Sequence, residues 1–171
     1  MVILIAGATH TGKTALARRL IKTYNYPCLS MDHLKMGLIR SGRTSLTVFD
    51  DGQLTDYLWP IAREMVKTVI ENDQDLIVEG CYIPFDWAKD FSEEYLRHIR
   101  CRWLILSREY IENHFDVIRS YANAAEKRLD DSGLDMAQLV RDNERNLAGC
   151  REHGCQYILV CKDYEAEMKW E

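Results

Sequence analysis

Short runs of apolar residues alternate along the chain with longer stretches in which apolar residues recur every three or four positions. The short runs favour β-strands, and the recurring positions favour amphipathic helices. Nearly continuous apolar strands that alternate with helices are typical of a parallel sheet covered by helices on both faces. The predicted strands are residues 2–6, 28–30, 76–79, 102–106 and 157–160.

The helical stretches each carry one apolar face. The clearest is residues 54–72, and Pro60 is expected in its first turns, where proline is tolerated. Ser107 is expected to cap a further helix, because serine favours that position. The other predicted helices are residues 13–24, 33–39 and 135–153, with Gly154 ending the last one.

Two segments interrupt this pattern. Residues 40–52 are rich in glycine, serine, threonine and charge, which predicts a loop, and residues 120–133 are polar with weak periodicity. No repeat or interdomain linker is visible. The 171 residues are therefore expected to form one α/β domain with enough chain to bury a core.

Charge and composition narrow the range of partners. The net charge is −5 and there is no long basic run, which argues against sequence-independent binding to nucleic acid. The apolar run at residues 2–6 is too short to span a membrane, and no basic segment of a signal peptide precedes it. We therefore expect a cytoplasmic protein with reduced cysteines and with neither membrane nor nucleic acid as a partner. The oligomeric state stays open.

Three potential metal ligands, Cys150, His153 and Cys155, lie close together in the sequence. They lack a CxxC pair and a nearby fourth ligand, both of which zinc sites usually have. We expect the cysteines to act as small apolar residues instead.

The most informative motif follows the first predicted strand and opens the first helix. Residues 7–14 read GATHTGKT, which matches the phosphate-binding pattern GxxxxGK[ST] in the structural context that this pattern requires. Glycines let the backbone turn so that its N–H groups point at phosphate oxygens. The motif predicts a P-loop that binds ATP or GTP, and the absence of an NKxD sequence favours ATP.

Each position of this loop has an expected role. Lys13 is expected to bridge phosphate oxygens and to act in catalysis, and the Thr14 hydroxyl is expected to ligate Mg²⁺. His10 is given no catalytic role. The residues predicted to contact the nucleotide are Gly7, Thr9, His10, Thr11, Gly12, Lys13, Thr14 and Ala15.

Two carboxylates lie at the carboxyl ends of predicted strands, the edge of the sheet where ligands bind in open α/β folds. Asp32 can orient an attacking hydroxyl and accept its proton, and the alternative is a helix N-cap. Glu79 can hold Mg²⁺ or a substrate group, while Gly80 permits close approach. The alternative for Glu79 is a carboxylate in solvent.

With these residues in place, the chain resembles the P-loop kinases of the nucleoside-monophosphate kinase, shikimate kinase and gluconate kinase group. Asp32 is also similar to the aspartate of chloramphenicol phosphotransferase and the zeta-toxin kinases. The run LIVEG followed by Pro84 resembles 2-phosphoglycerate kinases. The resemblance implies a P-loop NTPase three-layer sandwich, with five parallel strands in the order 2-3-1-4-5.

The resemblance also implies where the acceptor and the lid lie. Residues 40–52 become an acceptor-binding insertion, in which Arg40 and Arg43 are candidates for gripping an anionic acceptor. Residues 119–134 become a lid whose arginines stabilise the transferring phosphoryl group. The candidates there are Arg119 and Arg128, followed by Arg141 and Arg145. The loop at 161–163 is the expected adenine site.

The sequence therefore favours an ATP- and Mg²⁺-dependent phosphotransferase acting on a small hydroxylated or phosphorylated metabolite. A nucleoside or nucleotide kinase of adenylate-kinase type is one alternative. The other is a nucleotide-binding regulatory module without an acceptor. Asn143, on the apolar face of the last helix, is expected to bond a buried backbone group.

Overall fold

The computed structural model of the protein describes residues 1–125 and 134–170. Five parallel strands form one sheet in the order β2-β3-β1-β4-β5, which confirms the predicted topology. The strands are β1 (Val2–Gly7), β2 (Cys28–Ser30), β3 (Leu76–Glu79), β4 (Ile99–Leu106) and β5 (Tyr157–Val160).

Helices connect successive strands and cover both faces of the sheet. They are α1 (Lys13–Tyr24), α2 (Met31–Arg40), α3 (Asp51–Glu71), α4 (Glu93–Leu96), α5 (Arg108–Ala125), α6 (Met136–His153) and α7 (Tyr164–Glu167). A single 3₁₀ turn, Trp87–Asp90, precedes α4. The chain thus has the α/β three-layer architecture that the alternating pattern predicts.

Two hydrophobic cores lie on opposite faces of the sheet because successive side chains of a strand point in opposite directions. On β1, Leu4 packs with α3 in one core, whereas Ile3 and Ile5 pack with α1, α5 and part of α6 in the other. All three side chains are at most 3% exposed. Burial on both faces explains why the strands read as continuous apolar runs.

Several element boundaries differ from the predicted ones. Helix α2 begins at Met31 and includes Arg40, so the predicted loop shortens to residues 41–50. Helix α3 begins at Asp51, which places Pro60 inside the helix rather than in its first turns. Pro60 is exposed there, so solvent can satisfy the carbonyl that loses its helical partner. Helix α5 continues to Ala125, into a segment whose periodicity predicted no simple element.

One close contact joins β3 to α2 at the edge of the sheet where the strands end. A Cβ atom on Gly80 would lie 2.6 Å from the Cβ of Met31, which is closer than side chains tolerate. Met31 itself is fully buried in the core beneath α3. The absence of a side chain at Gly80 therefore lets the start of α2 rest directly on the end of β3.

No helix in the described ranges is long and apolar enough to cross a membrane.

Candidate phosphate and acceptor site

The P-loop leaves β1 through backbone conformations that favour glycine. Gly7 has φ 140° and Gly12 has φ 87°. A Cβ at Gly7 would lie 2.5 Å from the carbonyl oxygen of Leu104 on β4, so a larger residue would push the loop off the sheet. His10 also has a positive φ, of 62°, and its Nδ1 lies 2.9 Å from Thr9 Oγ1. His10 is therefore partly buried against its neighbour rather than facing solvent freely.

The Ala8 carbonyl holds the loop together from inside. It accepts hydrogen bonds from Thr11 Oγ1 at 2.9 Å and from Lys13 Nζ at 2.7 Å. Thr11 is fully buried, and Lys13 is only 6% exposed although it is charged. Because a buried ammonium requires hydrogen-bond acceptors, Lys13 can exchange this carbonyl for a phosphate oxygen without a new desolvation cost.

The two predicted Mg²⁺ ligands lie side by side. Thr14 Oγ1 is 3.4 Å from Glu79 Oε2, although 65 residues separate them in the sequence. Register explains the contact, since Glu79 pairs with Ile5 on β1 just before the P-loop begins. Glu79 is 2% exposed, so it is not the solvated carboxylate of the alternative interpretation. A hydroxyl beside a buried carboxylate suits Mg²⁺, which takes oxygen ligands and keeps several waters.

Helix α7 covers the start of α1 and was not predicted. A Cβ at Gly12 would lie 1.8 Å from Tyr164 Oη, so the phenol rests against the P-loop where α1 begins. Burial raises the pKa of Tyr164 to about 12. Arg19 on α1 secures α7 by bonding Glu165 and the carbonyl of Met168.

The loop after β5, the expected adenine site, is closed by its own carboxylate. Glu167 Oε2 accepts hydrogen bonds from the backbone nitrogens of residues 161, 162 and 163, at 2.7, 3.0 and 3.3 Å. The N–H groups of Lys162 and Cys161 hold the pKa of Glu167 below its ordinary value. Consecutive N–H groups that converge in this way form an anion-binding nest.

Asp32 is not the N-cap of α2, so this alternative interpretation is wrong. The cap position belongs to Ser30, whose side chain makes no capping hydrogen bond, and Asp32 is the second residue of the helix. Ser30 pairs with Glu79 across β2 and β3, which places Asp32 beside the phosphate end of the site. A carboxylate in the first turn is also favoured by the helix dipole.

Asp32 belongs to a chain of polar side chains that joins three elements. Lys35 Nζ donates to Asp32 Oδ1 at 2.5 Å and to the hydroxyl of Tyr82 at 2.9 Å. The Tyr82 hydroxyl in turn donates to Asp51 Oδ1, at 3.3 Å. We call Asp32, Lys35, Tyr82 and Asp51 the acceptor network.

Two members of the acceptor network, Lys35 and Tyr82, have pKa values above their ordinary ones. Burial alone would lower the pKa of Lys35, but its bonds to Asp32 and Tyr82 hold that pKa well above the ordinary value. Burial raises the pKa of Tyr82 to about 12 despite the opposing effect of Lys35. Near neutral pH, Lys35 is therefore a fixed cation and Tyr82 a neutral phenol.

Among the predicted arginines that the structure describes, none forms a hydrogen bond or ion pair with a member of this network. Arg40 and Arg43 are exposed, and Arg40 ends α2, eight residues and about 12 Å along the helix axis from Asp32. Arg119 is exposed on α5, while Arg128 lies outside the described residues. Arg141 and Arg145 form surface ion pairs with Asp135 and Asp142. Contact of any of these arginines with a ligand stays a prediction.

A cavity of about 360 Å³ lies between α3, the segment after β3 and α6. Thr55, one helical turn after Asp51, and Cys81, next to Tyr82, lie on its wall. The far wall is aromatic, with the ring of Phe85 stacked on Trp103 at 4.3 Å. A cavity of this size is at the lower end of the range that small-molecule sites occupy.

Two other predictions concern α6. Asn143 has the structural role expected of it, because it accepts from the Leu106 nitrogen and donates to the Leu139 carbonyl, both at 2.8 Å. The sequence analysis also considered Cys150, His153 and Cys155 as possible metal ligands. Within residues 1–125 and 134–170, no group of three His, Cys, Asp or Glu side chains is placed to hold a metal ion.

Four residues at the site were missed by the sequence analysis. Lys35, Tyr82, Tyr164 and Glu167 carry no motif, and their contacts span sequence separations that no local pattern reveals. One signal was present: Lys35 follows Asp32 by three residues in a predicted helix, a spacing at which opposite charges meet.

Comparison with known proteins supports the fold. A gluconokinase from Sinorhizobium meliloti aligns with 97% of this chain and 86% of its own, with 13% identity and a TM-score of 0.53. A deoxyadenosine kinase from M. mycoides aligns over 96% and 91%, with 12% identity and a TM-score of 0.54. A shikimate kinase from Bacteroides thetaiotaomicron aligns over 96% and 88%, with 19% identity and a TM-score of 0.50.

No protein-family model matches the chain, and no curated protein matches its sequence. The structural likeness extends over nearly the whole chain at low identity, so it establishes the fold. The chain has the P-loop fold that small-molecule kinases share.

Proposed function

We propose that the protein is an ATP-dependent kinase that phosphorylates a hydroxyl group of a small metabolite. The observation that carries the proposal is the contact between Thr14 and Glu79 below a complete P-loop motif. A phosphate-binding loop alone fits many nucleotide-binding proteins. A buried carboxylate beside the loop's threonine supports the proposal, because the two groups suit the Mg²⁺ that phosphoryl transfer requires.

Each side chain has a part in the proposed transfer. The N–H groups of the P-loop and Lys13 hold the β- and γ-phosphates. Thr14 and Glu79 would hold Mg²⁺, which would neutralise charge on the phosphate oxygens. Asp32 orients the acceptor hydroxyl. The acceptor oxygen bonds to the γ-phosphorus as the bond to the bridging oxygen of ADP breaks, and Asp32 takes the hydroxyl proton.

The acceptor is proposed to be a small hydroxylated or phosphorylated metabolite. The names of the structural neighbours include a gluconokinase and a shikimate kinase, which supports this class. A nucleoside acceptor is the second candidate, and the deoxyadenosine kinase among the neighbours favours it.

A phosphorylation screen tests the proposal. Purified protein is incubated with Mg²⁺, γ-labelled ATP and a library that holds polyols, sugar acids, sugar phosphates and nucleosides. We expect label to move to one chemical class in the wild type and not in Lys13→Ala. Slow release of labelled phosphate without any labelled product would instead indicate a nucleotide-binding regulatory module.

A further inference from the structure

One half-buried tyrosine, Tyr164 of α7, points its hydroxyl at the P-loop. A Cβ atom at Gly12 would lie 1.8 Å from Tyr164 Oη, 2.8 Å from its Cζ and 3.3 Å from its Cε2. Because these distances grow from the oxygen into the ring, the phenol meets the loop with its polar tip rather than with its face. Gly12 directly precedes Lys13, so the hydroxyl lies beside the part of the loop that is proposed to hold phosphates.

This hydroxyl forms no hydrogen bond within the part of the chain that the structure describes. Tyrosine hydroxyls that are removed from water usually find a partner. Two other polar side-chain atoms of the described residues also lack one, but both of them, Ser30 Oγ and Trp103 Nε1, are enclosed by protein. Tyr164 Oη is not among these enclosed atoms, so it keeps contact with solvent beside the P-loop.

Contacts on both sides of Tyr164 fix its position. The Asp163 side chain caps α7 by accepting from the nitrogen of Ala166 at 3.0 Å. Met168, beyond the other end of α7, is fully buried in the core that includes α1, and its nitrogen donates to the Tyr164 carbonyl at 2.9 Å. The Tyr164 ring packs against the same core. A hydroxyl held in place in advance loses little freedom when it binds a ligand.

Tyr164 is a hydrogen-bond donor at neutral pH. Burial is the largest cause that raises its pKa, to about 12, and the charge of Glu165 raises it further. The phenol is therefore protonated and neutral near pH 7. A neutral O–H group can donate to a phosphate oxygen without a negative charge of its own that would repel it.

The location of Tyr164 indicates which part of a nucleotide it would meet. The residue directly follows the loop at 161–163, the expected adenine site, and its hydroxyl ends at the P-loop, the expected site of the β- and γ-phosphates. The α-phosphate and the ribose join these two parts of the ligand. Of the two, the α-phosphate is the stronger partner for an O–H donor because its oxygens are charged.

We propose that Tyr164 is a nucleotide-binding residue whose hydroxyl donates a hydrogen bond to the α-phosphate of ATP. The inference rests on the ATP binding that is part of the proposed function. It adds to that binding a residue from α7, 150 positions after the last residue of the P-loop motif at Thr14. The P-loop would then hold the phosphates from one side and α7 from another.

Calorimetry on two variants tests whether the hydroxyl binds the nucleotide. Tyr164→Phe keeps the ring and removes one oxygen atom, whereas Tyr164→Leu removes the ring as well. With Mg²⁺ present, we expect Tyr164→Phe to weaken binding of a non-hydrolysable ATP analogue about 10-fold, as loss of a hydrogen bond to a charged group does. Tyr157→Phe is the matched control, because Tyr157 begins β5 at the opposite edge of the sheet. Its affinity should stay within about twofold of the wild type, as expected for a distant site.

Packing against the loop is the alternative role, and the same variants separate it from binding. Unchanged analogue affinity in folded Tyr164→Phe would overturn the inference, and weaker binding in Tyr164→Leu alone would mean that the ring only supports Gly12. Thermal melting identifies a variant that fails to fold. Tyr164→Phe, which is the smaller change, then decides.

The two isomers of ATPαS identify the group that accepts the hydrogen bond. Each isomer has sulfur, a weaker acceptor than oxygen, at a different position on the α-phosphate. We expect the ratio of their two dissociation constants, measured without an acceptor, to change about threefold or more between the wild type and Tyr164→Phe, as for two groups in contact. Weaker binding of both isomers at an unchanged ratio would place the contact at the ribose and overturn the assignment to the α-phosphate.

Failure of the proposed function gives a different result. If the P-loop is not the ATP site, analogue affinity will be the same in the wild type and in Lys13→Ala, which would refute the proposed function and the inference together. If the protein binds ATP but phosphorylates no acceptor, Lys13→Ala and Tyr164→Phe will both weaken analogue binding, and only the kinase function fails. If the inference alone is wrong, Lys13→Ala will weaken binding and Tyr164→Phe will not.

Discussion

Eight consecutive residues, 7–14, supply the phosphate end of the site, whereas the acceptor network draws its four side chains from α2, α3 and the segment after β3. Lys13 bonds a carbonyl five residues away, but Lys35 and Tyr82 are 47 residues apart and Tyr82 and Asp51 are 31 apart. A site built from one loop can be recognised from its sequence motif. A site assembled from distant elements depends on how those elements pack.

The two regions also differ in how they hold charge. Lys13 is 6% exposed and bonds a neutral carbonyl, so its charge is available to a phosphate. Lys35 is already paired with a carboxylate. The cation at the P-loop thus bonds only a neutral group among the described contacts, whereas the cation of the acceptor network already bonds a carboxylate.

The largest expected effect is at the phosphate end. Lys13→Ala should lower kcat by about 10²–10³-fold, because one electrostatic contact to developing charge contributes about 2.7–4 kcal/mol. Steady-state kinetics on the substrate found by the screen measures it. Lys22→Ala, exposed at the end of the same helix α1, is the control. A folded Lys13→Ala protein with normal turnover would contradict the role given to the P-loop.

The next effect links the two regions. Asp32→Asn keeps the size of the side chain but removes the base, and we expect kcat to fall about 10²-fold with ATP affinity unchanged. General-base contributions to rate span about 10²–10⁴-fold. We expect the lower end of that range because the hydrogen bond from Lys35 makes Asp32 a weaker base. Asp56→Asn on the exposed face of α3 is the control. Loss of ATP affinity with unchanged kcat would place Asp32 with the Mg²⁺ ligands instead.

A smaller effect is expected at the Mg²⁺ site. Glu79→Gln should raise the Mg²⁺ concentration needed for half-maximal activity about 10-fold, because replacing groups around a bound metal commonly costs about 10–100-fold in affinity or activity. The measurement is a Mg²⁺ titration of activity at saturating ATP. An unchanged titration curve would mean that Glu79 does not help to hold Mg²⁺, although it lies 3.4 Å from Thr14.

The smallest effect concerns stability at the contact between the regions. A Cβ at Gly80 would meet Met31 at 2.6 Å, so Gly80→Ala should lower the free energy of unfolding by about 1–3 kcal/mol. Gly37→Ala in the middle of α2 has nothing within 4 Å and should raise it by about 0.5–1 kcal/mol. Urea denaturation of the two variants compares them. Equal stability would mean that α2 can lift away from β3.

Much of the fold was predictable because apolar periodicity and the P-loop are local signals. The strand order was inferred from resemblance, and the structure confirms it. Helix α7 was missed because it is a single turn whose stability comes from contacts with α1, such as those of Arg19, rather than from its own pattern.

At the site, sequence reasoning singled out carboxylates at the strand ends and missed side chains that form a network with one of them. Asp32 and Glu79 were singled out because they lie at the carboxyl ends of strands, where ligands bind in open α/β folds. Lys35 and Tyr82 were missed because only the packing of α2 against the end of β3 brings them together. The arginines were chosen by resemblance, and the structure describes Arg40 and Arg43 as exposed without testing their role.

The carboxylate of Glu167 at the loop after β5 bears on the orientation in which a nucleotide could bind. Converging N–H groups attract phosphate and other anions. Residues 161–163 present such groups, and the P-loop motif is expected to present them too. At residues 161–163 the carboxylate of Glu167 already accepts these hydrogen bonds. A triphosphate that arrived in reverse, with its phosphates toward β5, would have to displace Glu167 and meet its charge.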